Sequence, residues 1–123
     1  MNQQDQISEL IEIVSKATGV SIPEIKGTKR KSKIVLAKQI YCYLAADLFC
    51  LPLKIIAKGL NENYHHSTVI HSRDKAIRDI KNGYDDITII YNNAMESLIE
   101  KSKGNEKLEW LFKKHELNKN EPK

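Results

Sequence analysis

No run of apolar residues in this chain of 123 is long enough to cross a bilayer. The first six residues, Met1 to Gln6, are polar and carry no basic n-region, so no signal peptide is expected. Cysteine occurs only twice, at Cys42 and Cys50. Both fall in one expected helix, where eight residues rise ~12 Å, too far for a disulfide. They are read as small buried hydrophobes of a reducing compartment, and the chain as cytoplasmic. No cysteine pair accompanies His65, His66 and His71, and neither a zinc-finger spacing nor a His-Glu-x-x-His occurs, so no metal site is expected. No Gly-x-x-x-x-Gly-Lys-Ser/Thr loop is present, which excludes a P-loop nucleotide site. Two adjacent histidines could serve a nuclease, but no carboxylate cluster for magnesium accompanies them. The expectation is therefore no enzyme, no cofactor, no nucleotide and no membrane partner.

What is present is a helical pattern and an uneven charge. At 41% hydrophobic residues the chain can bury a modest core. Its length suits one domain, expected over 1–102, with an extra helix and a disordered tail over 103–123. Net charge is +4. Residues 26–81 hold twelve Lys/Arg against four Asp/Glu, a local +8, and the remainder holds eight against twelve, a local −4. Segregation of this kind is the footprint of a polyanion partner, although a solvated basic face would look the same.

Valine and isoleucine recur at helical rather than alternating spacing, so the fold class is all-α and no strand is expected. Ile7, Leu10, Ile11, Val14 and Ala17 mark a first helix from about Gln4 to Thr18, ended by Gly19. Ser21-Ile22-Pro23-Glu24 starts a short second helix that Gly27 stops. Ser32 is expected to cap a long third helix to about Leu51, with Ile34, Ala37, Ile40, Tyr41, Leu44, Ala45 and Leu48 inward. Pro52 breaks it. A fourth helix over 52–58 closes at Gly59, and a fifth runs from about His65 to Lys81 on Val69, Ala76, Ile77 and Ile80. A sixth follows from Tyr84 to Lys101, with Ile87, Ile90, Tyr91, Ala94, Met95 and Leu98 inward.

The fourth and fifth helices read as a helix-turn-helix, with a turn over 59–63. The first turn of the fifth is polar and apolar residues begin only at Val69, the layout of a recognition helix that faces base edges first and buries its later turns. Ser67 and Thr68 can donate or accept at base edges, and the Thr68 methyl can pack on thymine. The bland alternative, Ser67 as a helix cap, leaves His65, His66 and Thr68 without a role. His71 and Lys75 continue the same face as Thr68, and Lys54 adds a cation on the preceding helix. Upstream, Lys26 to Lys33 carries five cations and no acid. Such a segment is a flexible arm or a solvated loop. As an arm it would send Arg30 into a minor groove, while Lys31 and Lys33 neutralise phosphates. Lys38 and Gln39 are expected on the exposed side of the third helix, extending that phosphate track.

Val20-Ser21-Ile22-Pro23-Glu24-Ile25, the basic loop, the helix beginning Ala37-Lys38-Gln39 and the stretch His66-Ser67-Thr68-Val69-Ile70-His71 together resemble a family. It is the C-terminal DNA-binding domain of the bacterial chromosomal replication initiator DnaA, over about Ile7 to Ile99. The resemblance implies a multi-helical, Trp-repressor-like helix-turn-helix and sequence-specific binding of double-stranded DNA. It implies a minor-groove role for Arg30, major-groove reading by His66, Ser67 and Thr68, and DNA-proximal places for Lys38, Gln39 and Lys75. The family signature Gly-Gly-Arg-Asp-His-Thr-Thr-Val is matched in its second half. Its Gly-Arg-Asp is Asn63-Tyr64-His65 here, so the preferred site is expected to differ, because a carboxylate can accept from cytosine as protonated His65 cannot. The expected role is a standalone binder in replication control or transcription regulation, without ATPase activity. The alternative is a helical adaptor that has lost DNA binding and docks a protein through 104–116, where Leu108, Trp110, Leu111 and Phe112 offer an apolar face.

Overall fold

In the computed structural model, residues 2–61 and 64–104 are described, together with Glu109 and Lys113. Helix α1 spans Gln3–Thr18. Asn2 starts it by accepting from the Asp5 amide at 2.8 Å, and Gly19 ends it in the left-handed region at φ 76°. Helix α2, Ile22–Lys26, opens with a reciprocal capping box between Ser21 and Glu24. Helix α3 spans Ser32–Tyr43, α4 Leu53–Leu60, α5 His66–Lys81 and α6 Asp85–Ser102. Among the described residues there is no strand, and no helix is long and apolar enough to cross a membrane.

The core lies around α3. Ile34, Ala37, Ile40, Tyr41, Cys42 and Tyr43 are all buried, and these positions cover most of the circumference of the helix rather than one stripe. α5 packs along one side of α3, while α1 packs against α6. The stripes expected on α1 and α6 are buried, with Ala17 and Met95 at their half-buried margins.

Four local expectations need correction. Ser32 is the first residue of α3 rather than its cap; Lys31 takes the cap position and makes no side-chain capping bond. The third helix does not continue regularly to Leu51. It widens after Tyr43 into a π-helical turn, Leu44–Leu48, in which the Phe49 amide reaches back to the Leu44 carbonyl at 3.0 Å. Pro52 forbids helical continuation, and the chain leaves through Cys50 at φ 53°. Cys50 is consequently exposed, whereas Cys42 is buried as expected.

Gly59 does not close the fourth helix. It sits inside α4, which runs on to Leu60. A Cβ at this position would overlap the Tyr41 hydroxyl and come within 2.7 Å of the Ile7 Cγ2. Glycine is required there by close approach to α1 and α3, and the Tyr41 hydroxyl uses the space to donate to the Ile56 carbonyl at 2.9 Å. Burial pushes the Tyr41 phenol far above its ordinary range, so it remains a donor.

Candidate nucleic-acid interface

α4 and α5 form the helix-turn-helix, separated by a connection that includes Asn61, Tyr64 and His65. α4 buries Ile56, Ala57 and Leu60, and α5 buries Val69 and Ala76. His65 takes the N-cap position of α5 without a side-chain capping bond. Ser67 lies within the helix, so the capping alternative does not describe it. With no side-chain cap, the His66 and Ser67 amides at the start of α5 are of the kind that attracts phosphate or other anions, while the Thr68 and Val69 amides donate to the His65 carbonyl. His65, His66, Ser67, Thr68 and His71 are all exposed, and Ile70 beside them is 38% exposed. The register follows from Val69, which is fully buried and turns its neighbours at 66–68 and 70–71 toward solvent.

The later turns of α5 are tied down. The Arg73 guanidinium donates to the Asp47 carboxylate on the π-helical turn and to Asp74. These carboxylates hold the guanidinium charged, the Asp47 hydrogen bond contributing most. Lys75 is exposed, but its ammonium lies 3.0 Å from the buried Asp79 carboxylate one turn on. It approaches the expected face with part of its charge already shared.

The basic loop is exposed at Thr28, Lys29, Arg30, Lys31 and Lys33. Its base is held by two side chains from elsewhere. The Lys38 ammonium donates to the Gly27 carbonyl at 2.7 Å, and the Asn61 amide donates to the Lys26 carbonyl at 3.1 Å. The Lys38 ammonium also lies 5.9 Å from the centre of the Tyr64 ring. Burial, and then the charge of Arg30, hold the Lys38 ammonium below its ordinary range. The Tyr64 phenol is pushed up by burial, against the opposing effects of Ser72 and Arg30. Arg30 is thus electrostatically coupled to both groups. The Tyr64 hydroxyl is 3.5 Å from the Ser72 Oγ on α5.

The residues expected from the sequence therefore separate. Arg30, Lys31, Lys33, Lys54, His65, His66, Ser67, Thr68, His71 and Lys75 are exposed. Lys38 is half-buried and engaged with the loop. Gln39 is the correction: it is 4% exposed and belongs to the α3 interior, not to its solvent side. One helical residue step of about 100° carries it from the margin of α3 into the packed side. Asn61 and Tyr64 were not singled out as structural links, because their partners are distant in sequence and leave no local pattern. Of the helix expected over 106–116 only Glu109 and Lys113 are among the described residues, and its docking face, Leu108, Trp110, Leu111 and Phe112, lies outside them. Among the described residues no group of three His, Cys, Asp or Glu side chains could hold a metal ion.

Residues 7–76 match the family described as the bacterial dnaA protein helix-turn-helix. The chromosomal replication initiator protein DnaA of Lactobacillus delbrueckii subsp. bulgaricus is 38% identical over 76 residues, covering 62% of this chain and 16% of that protein. Its counterpart in Kosmotoga olearia is 43% identical over 75 residues, covering 61% of this chain and 16% of the relative. The Streptococcus agalactiae protein of the same name is 42% identical over 69 residues, covering 56% and 15%. These alignments span about a sixth of the length of the curated relatives. No solved structure matches the chain.

Proposed function

Because this chain belongs to the bacterial DnaA helix-turn-helix family, we propose that it binds double-stranded DNA sequence-specifically, in replication control or transcription regulation. The observation that carries the reading is the juxtaposition at one end of the molecule. The open first turn of α5 and the cationic loop are linked through Lys38, Tyr64 and Asn61.

The physical division of labour follows from the two grooves. A major groove about 12 Å wide admits a helix, so the first turn of α5 enters there. Ser67 and Thr68 meet base edges, with the Thr68 methyl available to a thymine methyl. His65 and His66 precede them as further hydrogen-bonding groups. Arg30 enters the neighbouring minor groove, where A·T tracts concentrate negative potential. Lys31, Lys33 and Lys54 neutralise phosphates, and each such contact steepens the salt dependence of binding. His71 and Lys75 border the same groove. Gln39, buried in α3, is given no phosphate contact in this reading. His65 stands where the family signature has aspartate, so the preferred duplex differs from the family's usual box. The reading gives these residues a binding role in the cytoplasm and assigns them no ATP hydrolysis.

Selection of bound duplexes from a random pool, followed by anisotropy titration, tests the reading. We expect one enriched sequence and a clear preference for it over unrelated DNA. Arg30→Ala and Thr68→Ala should each weaken that complex by about 1–3 kcal/mol. Equal affinity for every sequence near physiological salt would refute sequence-specific binding. Unchanged affinity in both variants would refute this placement of the interface.

A further inference from the structure

Loops rich in lysine are ordinarily mobile, yet this one has two anchors at its root. Both are donors placed on carbonyls at the C-terminal end of α2. A helix end leaves carbonyls without intrahelical partners, and α2 ends at Lys26 with Gly27 as its cap. The Asn61 amide takes the Lys26 carbonyl, and the Lys38 ammonium takes the Gly27 carbonyl. One anchor comes from the connection before α5 and the other from α3. The Tyr64 ring borders the Lys38 ammonium, and its hydroxyl reaches toward Ser72 on α5.

We infer that Lys38, Asn61 and Tyr64 form a clasp that positions the Arg30 loop relative to the first turn of α5. All three are positioning residues rather than DNA-reading groups. The inference rests on the DNA-binding reading for its functional part, and on the free protein for its structural part. Ordering a loop during binding loses conformational entropy. A loop already anchored at its root loses less, and its arginine meets the minor groove in register with the helix in the major groove. Lys38 thus acts differently from the exposed lysines of the loop: its ammonium is committed to a protein carbonyl. Removing it disturbs the arm as well as the charge.

A double-mutant cycle separates positioning from simple contact. Arg30→Ala would be measured in the wild-type background and in an Asn61→Ala/Lys38→Met background, on the duplex enriched from a random pool. The clasp predicts that Arg30→Ala weakens binding about tenfold in the first background and less than about threefold in the second. Thr68→Ala should weaken binding by the same factor in both, since α5 retains its packing on α3. Equal Arg30→Ala penalties in the two backgrounds would overturn the inference while leaving the DNA reading intact. Amide relaxation of residues 28–31 in the free protein provides the second readout. Their order parameters should fall in the Asn61→Ala/Lys38→Met variant, and unchanged values would overturn the clasp. If the wild-type chain enriches no duplex, the DNA reading fails and relaxation alone still decides the clasp. Circular dichroism checks folding. If the double variant unfolds, Asn61→Ala alone carries both measurements.

Discussion

In the first turn of α5, His66, Ser67 and Thr68 are exposed and the helix start has no side-chain cap. Two turns later the same helix is fastened: Ser72 faces Tyr64, Arg73 meets Asp47, Ala76 is buried and Asp79 pairs with Lys75. Both ends are rich in polar side chains, so composition does not distinguish them. The difference is in partners. Polar groups in the later turns satisfy other groups of the protein, whereas those of the first turn keep their hydrogen-bonding capacity for something outside it. A rigid, packed second half is also what holds an open first half in a fixed direction.

The strongest way to break this contrast is to disable the fastened half. Val69→Asp places a carboxylate at a site on α5 with no exposure. It should destabilise the domain by about 4 kcal/mol or more, a large part of the stability of a small domain. Thermal unfolding followed by circular dichroism measures it, and a near-native melting temperature would show that the α3–α5 interface is not needed. Gly59→Ala sharpens the contrast at the other helix of the pair. Helix propensity alone predicts a gain from alanine. The overlap with the Tyr41 hydroxyl and Ile7 predicts instead a net loss of about 1–3 kcal/mol. Urea unfolding decides the sign.

Arg73→Ala should have a smaller effect, about 1 kcal/mol or less, because the guanidinium is 36% exposed and water screens its pairing with Asp47. Denaturant midpoints compared with those of Thr68→Ala would test the division directly. The open-turn variant should leave stability within about 0.5 kcal/mol of wild type. The least disruptive probe needs no mutation. Burial pushes the Cys42 thiol up to about 12, so it stays protonated and inaccessible at neutral pH, whereas Cys50 is exposed. A thiol reagent should label Cys50 in the native protein and both cysteines after unfolding. Rapid native labelling of Cys42 would mean that the α3–α5 seam opens readily.

Much of this molecule was legible from periodicity. The stripes of α1 and α6 occur at the expected residues because a helix repeats every 3.6 residues and burial selects one phase of that repeat. The chain breaks at Gly19 and Pro52 were equally local, since each follows from one residue's own backbone preference. Gly59 was misread for the same reason: a glycine near a helix end suggests an exit, and nothing nearby in sequence shows that Tyr41 and Ile7 occupy the space above it. Gln39 was misplaced because α3 is buried around most of its circumference, so polarity does not identify its outer side. Cys50 followed the helix in the sequence reading, and the π-helical turn carried it out to solvent.

The order of residues by itself determined the six α-helices of the described residues, their inward faces, a cationic loop and a polar helix start, because each depends on interactions reaching no further than about one turn of chain. Tertiary structure decided that the loop and the helix start lie at the same end of the molecule. The links that unite them join residues 11 and 35 positions apart, Lys38 to Gly27 and Asn61 to Lys26. Pairings over such separations arise only when the buried faces of several helices have chosen their neighbours, and that choice belongs to the packed core as a whole.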